Sequence, residues 1–258
     1  MKQVLFKPHM HPTMKHVTLQ RFSLLLLFIL STAAHALPSA LSVDPTEAVD
    51  TTSMTRVLIE TSKGNMVVRL FNDTPFHRDN FLRKVRSGAY DGVLFHRVIP
   101  DFMVQAGDSA SRHALPGAPL GDTPESESIP AEIRFPQHYH HRGALAMARE
   151  DDDVNPQRAS SSWQFYIVTG RTITDGQLDK IQQRLDSTTA GQVQFTPAIR
   201  ETYRSQGGAP HLDGTYTVFG EVVEGIDVTD DIQFAPRDAA NRPLEDIRIL
   251  HMRVMDEE

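Results

Sequence analysis

Phe95-His96-Arg97-Val98-Ile99-Pro100-Asp101-Phe102-Met103-Val104-Gln105-Ala106-Gly107-Asp108 sets one arginine among large apolar side chains, with a glutamine eight residues behind it. An arginine is charged at any biological pH and resists full burial. In an apolar run it is either paired in the interior or stands at the edge of a site, where its donors meet a ligand. Around this core of the reading, Tyr90 to Val98 reads as one strand and Met103 to Ala106 as another.

Working outward, Val57, Ile59 and Thr61 alternate with Leu58, Glu60 and Ser62, Lys63-Gly64-Asn65 forms a tight turn, and Met66 to Phe71 alternates again. That is a hairpin. Thr74-Pro75 followed by Phe76, Asn80, Phe81 and Val85 predicts a helix with threonine at its N-cap and proline in its first turn, stopped by Gly88. Downstream, Gly143–Ala148, Trp163–Thr169, Tyr216–Val222 and Ile247–Met255 are further short apolar runs. Many short strands and few helices predict a mainly β domain, an antiparallel barrel or sandwich. One stretch breaks the pattern. Asp175–Leu185 and Pro197–Tyr203 read as helices, with Leu178, Ile181 and Leu185 at helical spacing, so a helical insertion is expected over about 171–210. Glu150 to Asp153 reads as a solvated acidic loop. His138, His140 and His141 read as solvent-facing loop histidines, since no matching carboxylate spacing suggests a metal site.

Hydrophobic residues make up 40% of the chain, enough for a sizeable core, and the net charge of −7 argues against nucleic acid as a partner. There is no cysteine, which excludes disulfides, thiolate metal sites and a cysteine nucleophile. Lys2, Lys7, Lys15 and Arg21 precede the apolar run Phe22–Leu30, and Ala34-His35-Ala36 is a small-x-small triplet. Residues 1–36 are therefore expected to be a secretory signal peptide. Its apolar run is shorter than the roughly 20 residues of a membrane span, so no span is expected after cleavage. Residues 37–54 read as a flexible leader and 55–258 as one folded domain.

Three segments, in order, carry a resemblance: YDGVLFHRVIPDFMVQAGD (Tyr90–Asp108), GALAMAR (Gly143–Arg149) with SSSWQFYIVTG (Ser160–Gly170), and HLDGTYTVFGEVVEGIDV (His211–Val228). Together they resemble the cyclophilin family of peptidyl-prolyl cis-trans isomerases, over about Thr55–Val254 apart from the insertion. The resemblance implies a closed eight-stranded antiparallel β-barrel with two capping helices and a ligand groove on its outside. It implies Arg97 and Gln105 as catalytic residues, and Phe102, Met103, Ala148, Arg149, Gln164, Phe165, Leu212 and Tyr216 as substrate-binding residues, with Tyr166 at the rim of the proline seat. No metal or cofactor is implied.

The chemistry suits these residues. An Xaa-Pro bond prefers trans only slightly, yet the rotation barrier is about 18–20 kcal/mol because amide resonance is lost on twisting. The twisted nitrogen regains a lone pair, and a cation or donor beside it stabilises the twisted state more than the planar one. Arg149 stands where the family usually has asparagine, His211 where a tryptophan is associated with cyclosporin binding, and Tyr216 where histidine is frequent. The expected partners are proline-containing polypeptide clients, and a monomer is expected. With the signal peptide and bacterial-type groove residues, export to the periplasm is expected, the alternatives being secretion or a membrane anchor formed by an uncleaved signal. The competing reading is a non-catalytic proline-peptide-binding chaperone or assembly module.

Overall fold

The computed structural model describes residues 54–255. The expected signal peptide, and the leader up to residue 53, lie outside the described residues. The described chain runs β1 (Arg56–Thr61), β2 (Gly64–Leu70), α1 (Pro75–Arg86), β3 (Phe95–Ile99), β4 (Met103–Ala106), β5 (Ser128–Ile129), β6 (Ala144–Met147), β7 (Ser160–Ser161), β8 (Phe165–Val168), α2 (Asp175–Thr188), α3 (Pro197–Ser205), β9 (Val218–Glu224), α4 (Ile226–Gln233) and β10 (Ile249–Val254). Eight strands form one sheet in the order β10-β1-β2-β9-β6-β8-β4-β3, antiparallel at every step; β5 pairs with β7 apart from it.

The hairpin expected from alternation is present. β1 and β2 pair Val57 with Val68 and Ile59 with Met66, so one set of side chains enters the core together. That core holds Val57, Ile59, Phe95, Leu145, Phe165 and Phe219; α1 adds Phe81, Leu82 and Val85, and α4 adds Val228 and Ile232. A smaller apolar layer covers the opposite face of the sheet: Phe71, Met103, Ala146, Tyr166, Val168 and Val218, with Phe102, Leu212 and Tyr216 partly exposed on top of it. β3 and β10 end the ladder. Where the two strands begin, Phe95 N–H donates to the Ile247 carbonyl and Ile249 N–H to the Val93 carbonyl, and Leu94 bridges Arg248.

Two local expectations are corrected. The strand read from Tyr90 begins only at Phe95, because the chain turns at Gly88 and Gly92, both in left-handed conformation. Tyr90 is nonetheless buried, its ring against Phe81 and Phe165. Thr74 stands at the N-cap of α1, but its hydroxyl donates to the Phe71 carbonyl and caps nothing. Glu132 does that work from a distant loop, accepting the N–H groups of Phe76 (3.2 Å) and His77 (3.0 Å).

The two helices expected in this stretch form, running to Thr188 and Ser205. Thr174 and Gln177 make a reciprocal capping box on α2, and the Thr196 hydroxyl accepts Ile199 N–H to start α3. Its small core joins Leu178, Ile199 and Tyr203 to Phe135, Tyr139 and Phe195. Among the described residues no helix is long and apolar enough to cross a membrane.

Candidate active site

Strand register sorts the predicted residues by face. Arg97 lies opposite Gln105, Gln105 opposite Tyr166, Tyr166 opposite Ala146, and Ala146 opposite Val218. Directly opposed residues share a face, and most of this row belongs to the outer apolar layer. Arg97 is exposed at the end of the row, as a charge seeking a ligand should be.

A chain of hydrogen bonds holds it there. Arg97 Nη1 donates to Gln105 Oε1 (3.2 Å), Gln105 Nε2 to Gln164 Oε1 (2.9 Å), and Gln164 Nε2 to the Gly121 carbonyl (2.8 Å). Gly121 is fixed in turn: its N–H donates to Asp108 Oδ2 (2.6 Å). Burial pushes the Asp108 carboxyl up, but donors from Thr123, Gly121 and Ala110 outweigh this and hold it below its usual range. Gly107 makes the approach of β4 to Gln164 possible. A Cβ there would run into the Trp163 carbonyl, and φ is +99°. Asp108 lies in the quoted run, yet its role escaped sequence reasoning, because both Thr123 and Gly121 lie in an irregular loop with no pattern to read.

Beside the arginine is an apolar seat. Met103 is buried, and Phe102, Leu212 and Tyr216 are half-buried around it. Phe165 is not part of it. Its register partners Ala106 and Met147 face the interior, and its ring packs edge-on against Phe81 and Tyr90 in the main core. Side chains alternate along a strand, so the neighbour Tyr166 faces the seat instead. A tyrosine can line an apolar seat only if its hydroxyl is satisfied elsewhere. Here the hydroxyl lies 3.0 Å from His140 Nε2.

Arg149 is folded back rather than extended. Its guanidinium lies 4.4 Å above the Tyr216 ring, Nε donates to the Thr215 carbonyl (2.7 Å), Nη1 to the Glu150 carbonyl (2.7 Å), and Nη2 pairs with Asp152 (2.6 Å). The adjacent Ala148 follows β6, and its N–H and C=O bond the backbone of Gln164 and Ser161. The acidic loop is therefore not merely solvated: Asp152 bridges Arg149 and Arg158, and the hydrogen bond from Arg158, then that from Arg149, lowers its carboxyl. His211 tilts against Phe102 with ring centroids 5.2 Å apart. Trp163 turns away to the rim of the main core, with Lys84 over its ring.

The loop histidines are not a solvent-facing set. His140 is buried at 1% exposure, its Nδ1 and backbone N–H both donating to Asp213 Oδ1 (2.9 Å each); His138 meets Asp73 (2.7 Å), and His141 lies 3.5 Å from Glu221. His96 is buried with neither ring nitrogen partnered among the described residues. Burial pushes its pKa down to about 4, so the ring is neutral at physiological pH and adds no second positive charge beside Arg97.

Proteins of similar sequence and fold point to one family. The family described as cyclophilin type peptidyl-prolyl cis-trans isomerase/CLD matches residues 56–254. A Staphylococcus epidermidis relative that carries a peptidyl-prolyl cis-trans isomerase name is 34% identical over 196 residues, 75% of this chain and 88% of that protein. A Streptococcus pyogenes protein, named as bifunctional for phosphatase and peptidyl-prolyl isomerase, is 34% identical over 204 residues, which are 39% of its own length. A crystal structure of a Cryptosporidium parvum cyclophilin type peptidyl-prolyl cis-trans isomerase has a TM-score of 0.55 at 23% identity, covering 79% of this chain and 99% of that one. A second crystal structure of the Cryptosporidium protein was determined in the presence of the dipeptide Ala-Pro, with a TM-score of 0.54, 22% identity and coverage of 78% and 99%. The chain belongs to the cyclophilin-type peptidyl-prolyl cis-trans isomerases.

Proposed function

We propose that this isomerase turns over Xaa-Pro bonds on its outer face, with Arg97 as the catalytic cation and the layer of Phe102, Met103, Tyr166, Leu212 and Tyr216 as the seat of the proline ring. The observation that carries the assignment is the unbroken hydrogen-bonded line Arg97–Gln105–Gln164 set beside that layer. Among the described residues Gln105 is the sole acceptor for Arg97, so the rest of its donor fork is available to substrate. A bound peptide covers Arg97 and removes water, which strengthens its field at the prolyl nitrogen just as resonance is lost. Gln105 and Gln164 fix the fork in place, so its donors already point the right way when the bond twists. Ala148 and Arg149 border the peptide path. Arg149 acts there as a wall clamped to Tyr216 more than as a free donor.

The backbone contacts between Gly92–Phe95 and Ile247–Ile249 support reading the sheet as a closed barrel. The basic lead, apolar run and small-x-small triplet of residues 1–36 support export, so the proposed clients are proline-containing chains folding outside the cytoplasm, with the periplasm as the compartment.

Isomerisation of a short Ala-Pro peptide by the chain from Leu37 onward, beside Arg97→Ala, tests the catalytic assignment. The expected result is a loss of about 100-fold or more in kcat/KM, the scale for removing one preorganised donor to a transition state. Turnover unchanged in Arg97→Ala would move the catalytic group elsewhere on the molecule.

A further inference from the structure

Four buried side chains form a continuous line from the helical insertion to the seat. Tyr203 on α3 donates its hydroxyl to Asp213 Oδ2 (2.6 Å). The other oxygen, Oδ1, accepts from the backbone N–H and the ring Nδ1 of His140, each at 2.9 Å. His140 Nε2 lies 3.0 Å from the Tyr166 hydroxyl, and the two rings are stacked within 11°. Tyr203, Asp213, His140 and Tyr166 are 0%, 1%, 1% and 4% exposed.

The carboxylate sets the direction of the bonds at its end, and a neutral imidazole sets the last one. An ionised carboxylate only accepts, so Tyr203 and His140 Nδ1 are the donors to Asp213. In the neutral imidazole this puts the hydrogen on Nδ1 and a lone pair on Nε2. The Tyr166 hydroxyl must then donate to Nε2, which turns its polar end away from the seat and leaves the ring facing the proline. Three donors converge on one buried carboxylate, so removing any of them unbalances the remaining two.

The insertion also presses on the same turn. Gly214, next to Asp213, has φ +70°, and a Cβ there would collide with Val193 of the insertion. Arg158 donates to the Gly214 carbonyl (2.9 Å) and to the Thr188 carbonyl at the end of α2 (3.2 Å).

We infer that Tyr203 is a positioning residue for the isomerase site, acting through Asp213 and His140 to hold Tyr166 in the proline seat, so that the helical insertion is a working part of peptide recognition. The inference rests on the proposed seat. It assigns the line a role in binding the proline ring, not in the chemistry at Arg97. Tyr203→Phe keeps the buried ring and removes only the first donor. The control is Tyr139→Phe, which removes the other tyrosine hydroxyl tying this region to α3, a 3.2 Å bond to Thr202 Oγ1 outside the line.

The experiment measures peptide Kd by titration, and KM and kcat by isomerisation, with an Ala-Pro peptide. It uses the wild-type chain, both single variants, Tyr166→Phe, and the Tyr203→Phe/Tyr166→Phe double variant. Tyr203→Phe is expected to weaken Kd and KM by about 3- to 10-fold with kcat little changed, the worth of one net hydrogen bond. Tyr139→Phe is expected to leave Kd at the wild-type value. The double variant is expected to lose no more than the worse single variant, because the line is already cut. ¹⁵N signals of the His140 ring are expected to show a protonated Nδ1 and an accepting Nε2 in the wild type, and a mixture of tautomers in Tyr203→Phe. A Tyr203→Phe chain that binds peptide like the wild type, or that shifts Kd only as far as Tyr139→Phe does, overturns the inference. A wild type that binds the peptide without isomerising it refutes the catalytic assignment alone, and the Kd ratio still judges Tyr203.

Discussion

Phe165 and Tyr166 are adjacent aromatics with opposite fates, and the difference is decided by a strand's two-residue period. Phe165 meets Phe81 and Tyr90 in the main core, whereas Tyr166 meets His140 and Tyr216 on the outer face. Phe165→Ala should therefore cost about 3–5 kcal/mol of stability, as a large cavity opens in a packed core. Tyr166→Phe removes one hydroxyl and should cost about 1–3 kcal/mol, since it leaves a buried acceptor on His140 unpaired. Urea midpoints for the two variants, with peptide Kd beside them, give the check: the first should move stability most, the second peptide binding. Equal stability losses would mean the faces have been assigned wrongly. The sequence could not sort this pair, because every residue of β8 is buried and no polar-apolar alternation marks which side is in. Arg97 stood out for the opposite reason, since a charge in an apolar run must go somewhere specific, whereas Gln105 and Gln164 were implied by the family resemblance. The line Tyr203–Asp213–His140–Tyr166 was hidden, since its partners lie up to 73 residues apart and no local pattern joins them.

At the scale of elements, helices and hairpins were easy to place and their fastenings were not. Proline in the first turn and apolar spacing identify α1, but the group that satisfies its free N–H donors arrives from a loop that reads as featureless. Glu132 takes two backbone donors and the ring Nδ1 of His77 at 2.6 Å, while His77 Nε2 meets the Ser160 hydroxyl at 2.9 Å. The Glu132 backbone N–H is itself held by Thr217 Oγ1, just ahead of β9. Glu132 thus ties α1 through its carboxylate, and the strand that carries the third motif through its backbone N–H. Glu132→Gln keeps the shape but swaps an acceptor for a donor facing N–H groups. It should lower stability by about 2–3 kcal/mol, between a lost cap and a buried unpaired donor. Thr74→Ala, at the nominal cap, should cost less, because that hydroxyl caps nothing. Thermal or urea unfolding of the two variants ranks them, and the reverse order would restore Thr74 as the cap.

For the whole molecule, buried neutral histidines set how the fold responds to acid. His96 is held at about 4 by burial, and burial also lowers His77 although Glu132 pulls the other way. An unfolded chain gives both rings their ordinary value of about 6.5. Between those limits the unfolded state binds protons that the folded state refuses, so stability is full above about pH 6.5 and falls as the pH drops towards 4. For His96 alone the difference corresponds to about 3 kcal/mol once the pH is below both values. Asp108 adds a loss of the same sign in a lower window, below the ordinary carboxylate range, because its donors hold it ionised in the folded state. His96→Gln removes the titrating ring while keeping a polar side chain in its place. Urea midpoints at about pH 7 and about pH 4.5 should show a clear loss in the wild type and a smaller one in His96→Gln, whatever the variant's stability at neutral pH. A loss of the same size in both would assign the acid sensitivity to His77 or to the carboxylates. The catalytic arm should feel the same titration, since His96 is the backbone neighbour of Arg97. An imidazolium formed there puts a buried positive charge near the exposed guanidinium, so turnover should fall with stability along the same acid limb.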